Sequence, residues 1–467
     1  MRKLFSLLLC LALCLGAAAS AEEAKSEAFT SGAFRYILRN DGTAKIISYS
    51  SEEKTLTIPT ELDGHPVTAL GDFAIGDEGF GDLIVLDNEE LTSVTIPDSV
   101  TELGVNPFGG CINLETINVS PDHPTLAVID GVLFSKPDKR LICYPTAMAG
   151  DAYAIPQGIR IIGKAAFYLS DLTAVSIPDS VTEIEGNPFY CCYMLTTFTL
   201  PLTQPYLTVM DGVLFSKPDK RLVCYPLGLE AETYTVPQGT EIIGEKAFYV
   251  KHMTGVVLPD SVTAIADEAF AFTGIASVSI PDSVTAIGDN AFFWSDLASV
   301  SIPGSLNKIG AYAFEYCSDL TEIILPDGIV QIPEGMFCDC NRLVSVTIPD
   351  SVTAIGENAF FNCDGLASLV IPDSVTAIGD KAFSDCDGLT SLVIPDSVTA
   401  IGENAFSDCD ALTSLVIPDS VTEIGNNAFS NCDGLTVTVN RGSYAAQYCK
   451  DSGVKYQYPD SLDWLND

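Results

Sequence analysis

The phrase Ile-Pro-Asp-Ser-Val recurs along this chain, beginning at Ile96, Ile177, Ile280, Ile348, Ile371, Ile394 and Ile417, with variants at Leu258, Ile302 and Leu325. From Leu258 onward the steps are 22, 22, 23, 23, 23, 23 and 23 residues. A second column keeps the same register: Phe248, Phe270, Phe292, Phe314, Phe337, Phe360, Phe383, Phe406 and Phe429. Two columns held in step at so short a period demand a stack of similar coils, each too small to bury its apolar face alone.

One coil shows how the unit closes. In Leu389-Thr-Ser-Leu392-Val-Ile394-Pro-Asp-Ser-Val398-Thr-Ala-Ile401-Gly-Glu-Asn-Ala-Phe406, Leu392 and Ile394 alternate with Val393, the pattern of a short strand. Pro395 and Asp396 turn the chain, Pro by presetting φ and Asp by bonding nearby backbone. Val398, Ile401 and Phe406 point inward before the next turn, and no helix of ten residues fits in what remains. The expected fold is a mainly β repeat solenoid, each coil one short strand plus turns and a short 3₁₀ segment. About sixteen rungs are expected between Leu56 and Val439, which at ~4.8 Å per stacked strand gives a rod about 75 Å long.

The first half uses the same coil with insertions. Its Phe column steps by 59, 22 and 59 residues, from Phe108 to Phe167, Phe189 and Phe248. Each long step holds a copy of one segment, Asp130-Gly-Val-Leu-Phe-Ser-Lys-Pro-Asp-Lys-Arg-Leu141 or Asp211 to Leu222. Both read as hairpin insertions, near 126–145 and 207–226. Residues 22–55, with Asn40-Asp41-Gly42 as a turn, read as an N-terminal capping hairpin ahead of a solenoid over 56–440. In 441–467, Ser443 is placed to cap a short helix that Gly453 ends, covering the last rung.

The Ile-Pro-x-Ser-Val…Ile-Gly…Ala-Phe…Cys-x-x-Leu rung, the Asp-Gly-Val-Leu-Phe-Ser hairpin and the Ser-Tyr-Ala…Tyr end helix resemble the BspA-like bacterial leucine-rich-repeat proteins. The resemblance covers nearly the whole chain after residue 21. It implies a secreted or cell-surface protein, some relatives binding host extracellular matrix or other cells, and it brings no catalytic residues. Relatives often carry wall-binding or sorting modules that are not seen here, which leaves surface attachment open.

Residues 1–21 read as an export signal, with Arg2 and Lys3, the apolar run Leu4–Leu15 and the Ala19-Ser20-Ala21 cleavage site. The expected location is extracellular, with no visible anchor. Acidic residues number 62 against 23 basic, a net charge of −39, so nucleic acid and anionic membrane are poor partners. Hydrophobic residues at 47% exclude a disordered acidic chain.

Repetition also argues against an active site, which needs one asymmetric constellation. Eight cysteines sit three residues after a column Phe: Cys111, Cys192, Cys317, Cys340, Cys363, Cys386, Cys409 and Cys432. Ser170, Thr273 and Ser295 fill the same slot elsewhere, which suits a small turn-facing side chain better than a disulfide or metal ladder. Gly158-x-x-x-x-Gly163-Lys164 lacks the Ser or Thr of a phosphate loop, and His65, His123 and His252 occupy unrelated slots. The acidic columns Asp350, Asp373, Asp396, Asp419 and Asp364, Asp387, Asp410, Asp433 read as a solvated edge, with calcium left open. No enzyme activity, cofactor or metal site is therefore expected.

Two surfaces remain as candidate binding sites. Outward strand positions carry Thr347, Val370, Val393 and Val416 beside Ser345, Ser368, Ser391 and Ser414, a mildly apolar strip that β-propensity alone would also explain. The hairpin tips carry Lys136, Lys139, Arg140, Lys217, Lys220 and Arg221, either solubilising charges or a knob for an acidic partner. The leading expectation is a monomeric binding or adhesion protein that recognises a protein or glycan macromolecule through the strand face. The alternative is a self-associating surface or matrix scaffold.

Overall fold

The computed structural model describes residues 27–76 and 88–459. The expected export signal lies outside them. Among the described residues the chain is a mainly β solenoid of about 18 turns with a single short helix near its C-terminus. Its contacts define two units, Met1–Gly212 with Pro226–Gly228, and Val213–Tyr225 with Leu229–Asp467.

The regular coil is clearest in the second unit. Ser391–Val393 pairs in parallel, residue for residue, with Ser368–Val370 on one side and Ser414–Val416 on the other. Pro395 follows because a residue without an N–H cannot extend the ladder, and its carbonyl accepts from Val398 N at 3.1 Å to close the turn. Ser397 then donates to the carbonyl of Val375, one coil earlier, at 2.7 Å. The same bond recurs from Ser283, Ser305, Ser351 and Ser374 at 2.6–2.7 Å, so the Ser of the repeated phrase ties consecutive coils together.

Where a 3₁₀ segment was expected, the chain makes a second strand and turns. Ala400–Ile401 pairs in parallel with Ala377–Ile378 and Glu423–Ile424, which builds a second narrow sheet. Gly402 follows it because a β-carbon there would lie 2.4 Å from the backbone N of Asp380. A third side is hydrogen-bonded by alternate residues: Asn404, Phe406 and Asp408 donate backbone N–H to Asn426, Ala428 and Ser430. Asn404 and Asp408 hold φ of 53° and 58°, left-handed values that Asn and Asp tolerate best among residues with a β-carbon.

Within this triangular coil the column Phe rings stack on one another. Phe360, Phe383 and Phe406 sit with centroids 5.2 and 5.3 Å apart and planes within 8°. Phe383 and Phe406 are fully buried, as are Leu389, Val398 and Cys386 beside them.

In the first unit the insertion has three antiparallel strands rather than two: Leu126–Ile129, Val132–Ser135 and Arg140–Cys143. Asp130 and Gly131, at φ 49° and 85°, make the tight turn between the first two. The third strand joins the narrow sheet by pairing with Ile161–Ile162, so the insertion is itself a coil. Tyr144 takes the column-Phe place, its ring stacked 5.5 Å from Phe167 and its N–H donated to Ala166 at 2.8 Å. The second unit repeats this with Tyr225 stacked 5.5 Å from Phe248. Each 59-residue step therefore hides a rung whose ring is Tyr.

The ends are tied in by pairing. Phe34–Leu38 and Ala44–Tyr49 form the expected hairpin, Ala28–Ser31 adds a strand to it, and Ala44–Tyr49 pairs in parallel with His65–Leu70. The helix Tyr444–Ser452 is capped by Ser443, whose Oγ accepts from Ala446 N at 3.1 Å, and ends at Gly453 with φ 77°. Its Tyr448 hydroxyl accepts from Ala428 N at 3.1 Å, and Tyr456–Gln457 adds a last strand beside Thr436–Thr438.

Candidate functional site

Along each regular strand the middle residue is buried and its neighbours face out, as alternation requires. Val370, Val393 and Val416 are 82%, 73% and 57% exposed, stacked in register one coil apart. Thr347 precedes them in the same row, and Ser345, Ser368, Ser391 and Ser414 form a parallel row of exposed hydroxyls. Ile324, 69% exposed, extends the apolar row one coil further back. Sequence reading passed over it because Ile323-Ile324-Leu325 reads as an unbroken apolar run, although its register with Thr347 was available.

Charge borders this strip. Outward from the strand of one coil lie exposed Asp387 before it and exposed Asp396 after it, and neighbouring coils repeat both. Burial and then the charge of Asp387 raise the Asp364 carboxyl above its ordinary value.

The second candidate surface is divided by its own ion pairs. Lys136, Lys139 and Lys217 are exposed at the turns, whereas Arg140 and Arg221 open the following strand and are half-buried. Arg140 is held between Asp138, at 2.8 Å, and Glu185. Arg221 pairs with Asp219 at 2.9 Å, and Lys220 with Glu241 at 2.5 Å. Lys136 donates to the His123 carbonyl at 2.5 Å. Several of the six cations thus serve to fasten the insertions to the coils behind them.

The thirteen described cysteines form no disulfide with one another, and each is buried except the half-buried Cys432. The column thiols donate to the Phe carbonyl of the preceding coil: Cys363 to Phe337, Cys386 to Phe360 and Cys409 to Phe383, at 3.0–3.1 Å. A small donor is what the slot needs, so Ser and Thr can share it. Burial pushes the Cys386 thiol up to about 12, which holds it protonated and unreactive.

One asymmetric cluster escaped the sequence reading. Glu315, Cys338 and Asp339 are buried with ligating atoms within 4.8 Å of one another. Cys338 donates to Asp339 at 3.2 Å and Asn362 donates to it at 2.5 Å, so these groups answer one another across three coils. Residues from different coils meet there, and no local spacing could have announced it. Among the described residues no helix is long and apolar enough to cross a membrane.

The profile of the BspA type leucine-rich repeat region matches in six copies over residues 84–138, 151–216, 241–367 and 356–441. No curated protein matches the chain. Among solved structures, a leucine-rich repeat protein from Bacteroides ovatus is 25% identical, covering 88% of this chain and 99% of that one, with a TM-score of 0.46. A leucine-rich cell surface protein from Faecalibacterium prausnitzii is 27% identical over 86% of this chain and 94% of that one, TM-score 0.36. A leucine-rich repeat protein from Eubacterium ventriosum is 19% identical over 88% and 95%, TM-score 0.41. With its profile spanning more than half of the chain and the coil geometry that the repeat demands, this protein belongs to the BspA-type leucine-rich repeat family.

Proposed function

We propose that this is an exported, non-catalytic binding protein that holds a macromolecular partner, protein or glycan, on the strand face around Val370, Val393 and Val416. The observation that carries the reading is the exposed Val row itself. Three β-branched side chains stand in register on a flat sheet, where the other coils present mainly hydroxyls, and contiguous exposed apolar surface marks an interface. Repetition suits extended contact with a large partner better than a sculpted pocket. A description of one similar structure as a cell surface protein is in keeping with export.

Capture by the mature chain of host matrix proteins, of glycans or of itself supplies the partner to be tested. Replacing Val370, Val393 and Val416 together by Lys should abolish that capture with unchanged circular dichroism, because three ammonium groups would have to be desolvated against an apolar surface. Neutralising Lys136, Lys139, Arg140, Lys217, Lys220 and Arg221 is the control. Loss of the partner in the control and retention in the Val variant would move recognition to the insertions and overturn the strand-face reading. Retention in both, together with concentration-dependent association of the chain alone, would favour a self-associating scaffold.

A further inference from the structure

We propose that the partner of this face is a basic polypeptide, seated with apolar side chains over the Val row and cationic side chains over the carboxylate columns on either side. The inference rests on the strand-face reading and names the partner's chemistry.

The coil of Val393 presents, across the face, exposed Asp387, a hydroxyl at Ser391, apolar Val393, then exposed Asp396. The coils before and after repeat it with Asp364 and Asp373, and with Asp410 and Asp419. The strip is thus uncharged along its centre and lined on both edges by carboxylates one coil apart, ~4.8 Å along the stack. That spacing lies well inside the screening length of about 8 Å at physiological salt, so the carboxylates of one column repel one another.

Within these coils little offsets this charge. Between Leu343 and Asn440 the sequence holds fourteen carboxylates and one basic residue, Lys381. Lys381 lies on the third side of the coil, where its N–H bonds Glu403, away from the strip. None of the ion pairs seen among the described residues includes Asp373, Asp387, Asp396, Asp410, Asp419 or Asp433. In the insertions, by contrast, carboxylates such as Asp138 and Glu185 are neutralised by Arg140.

These charges decide between partners. An apolar, uncharged partner would bury the strip only by drawing both Asp columns toward low dielectric, which raises their repulsion. An acidic partner would add to it. A partner carrying Lys or Arg on both sides of an apolar row matches the pattern, and its cations reduce the repulsion as they dock.

The probe is a synthetic peptide alternating valine and lysine, its binding to the full chain read by fluorescence anisotropy. A valine–glutamate and a serine–lysine peptide serve as references. The valine–lysine peptide should bind, with the other two each weaker by about tenfold or more. Asp373→Asn, Asp396→Asn and Asp419→Asn together should weaken binding by about tenfold, which is about 0.5 kcal/mol for each of three exposed ion pairs. Glu357→Gln, Glu403→Gln and Glu423→Gln change net charge equally but stand in or next to the second sheet, and should shift binding by less than about twofold.

Equal effects of the two triple variants would mean that the peptide senses only the overall charge of −39, and would overturn the proposal. Binding of the valine–glutamate peptide as tight as that of the valine–lysine peptide would do the same, as would no binding of the valine–lysine peptide at all. The two readings separate on the captured partner. If it is lost on Val→Lys substitution and kept by the Asp→Asn triple, the strand face stands as the contact surface and the basic partner falls.

Discussion

The regular coils from Leu343 to Val439 and the insertion-bearing coils from Gly104 to Thr199 solve the same stacking problem with different success. In the regular coils the backbone does the work. Phe383 donates its N–H to Ala405, Asp385 to Ser407 and Cys386 its thiol to Phe360, and each bond recurs one coil on. In the insertion-bearing coils a side chain takes part instead: the amide of Asn106 donates to the Ala165 carbonyl at 2.8 Å. That leaves Asn106 Oδ1 buried with no partner, and the hydroxyl of Tyr153 likewise. Copying a coil copies its satisfied polar groups, Ser420 Oγ excepted, whereas widening one to admit a three-stranded insertion keeps the ring stack and strands individual polar atoms. The exposed apolar row follows the same division. The outward row of the first region reads Ala154, Ser176 and Thr199, and only the near-identical coils carry three valines in succession.

The ring stack is where this comparison is easiest to break. Phe383→Ala should cost about 3–5 kcal/mol, the range for a buried aromatic truncated to Ala. If Tyr144 holds the same place in the insertion-bearing coil, Tyr144→Ala should cost about as much, and Tyr144→Phe should cost under about 0.5 kcal/mol. Denaturant midpoints give these differences. A Tyr144→Ala effect as small as that of Tyr144→Phe would show that the rung hidden in the 59-residue step has a different core.

Glycines sharpen the contrast. At Gly402 the obstacle to a β-carbon is backbone, the Asp380 N at 2.4 Å, and a ladder of stacked coils cannot give way locally. Gly402→Ala should destabilise by about 1–3 kcal/mol, as overpacking does. At Gly131 the nearest atom is the flexible Met148 sulfur at 2.7 Å, so the cost comes from the φ of 85°. Gly131→Ala should lose about 1 kcal/mol. Thermal unfolding that ranks Gly131 above Gly402 would contradict the rigidity attributed to the regular stack.

Within the repeated phrase, one serine serves as the control for another. Ser397 donates to Val375 at 2.7 Å, but Ser420 Oγ is buried with no partner. Ser397→Ala should cost about 1 kcal/mol and Ser420→Ala nothing measurable, or a slight gain. Equal losses would mean that the serines act through the turn and not through the bond between coils.

Much of this fold was legible because the repeat presents its core as columns. Inward Phe, Leu, Val and Ile recur at fixed slots, and so do the outward Val and Asp that make the candidate site. The capping helix was legible from Ser443 and Gly453. What stayed hidden has a common cause. A two-residue strand such as Ala400–Ile401 is too short to show alternation, so only its neighbours 23 residues away on either side reveal it. Tyr144 was invisible as a member of the Phe column because the insertion shifts it off the period. Arg140 and Lys220 read as free cations at a tip because their partners, Glu185 and Glu241, sit 45 and 21 residues further along. The serine of Ile-Pro-Asp-Ser-Val had no assigned role for the same reason: its acceptor belongs to the coil before.

The smallest effect tests the stranded atoms themselves. Tyr153 fills the slot that buried Leu392 fills in the regular coils, and its ring packs edge-on against Tyr144 at 5.2 Å and near Phe167 at 6.1 Å. Those contacts belong to the ring and survive replacement by Phe. The hydroxyl gains nothing in return for leaving water, since no partner reaches it, and burial raises its pKa above the ordinary tyrosine value. Removing such a group leaves no donor or acceptor behind, so the desolvation penalty of about 1–3 kcal/mol that an unpaired buried polar atom carries should be recovered in part. Tyr153→Phe is therefore expected to stabilise the protein by about 0.5–1 kcal/mol, read as a rise in the denaturant midpoint at unchanged slope. A loss of stability would mean that this hydroxyl is paired in solution, and the insertion-bearing coils would then be as well satisfied as the regular ones.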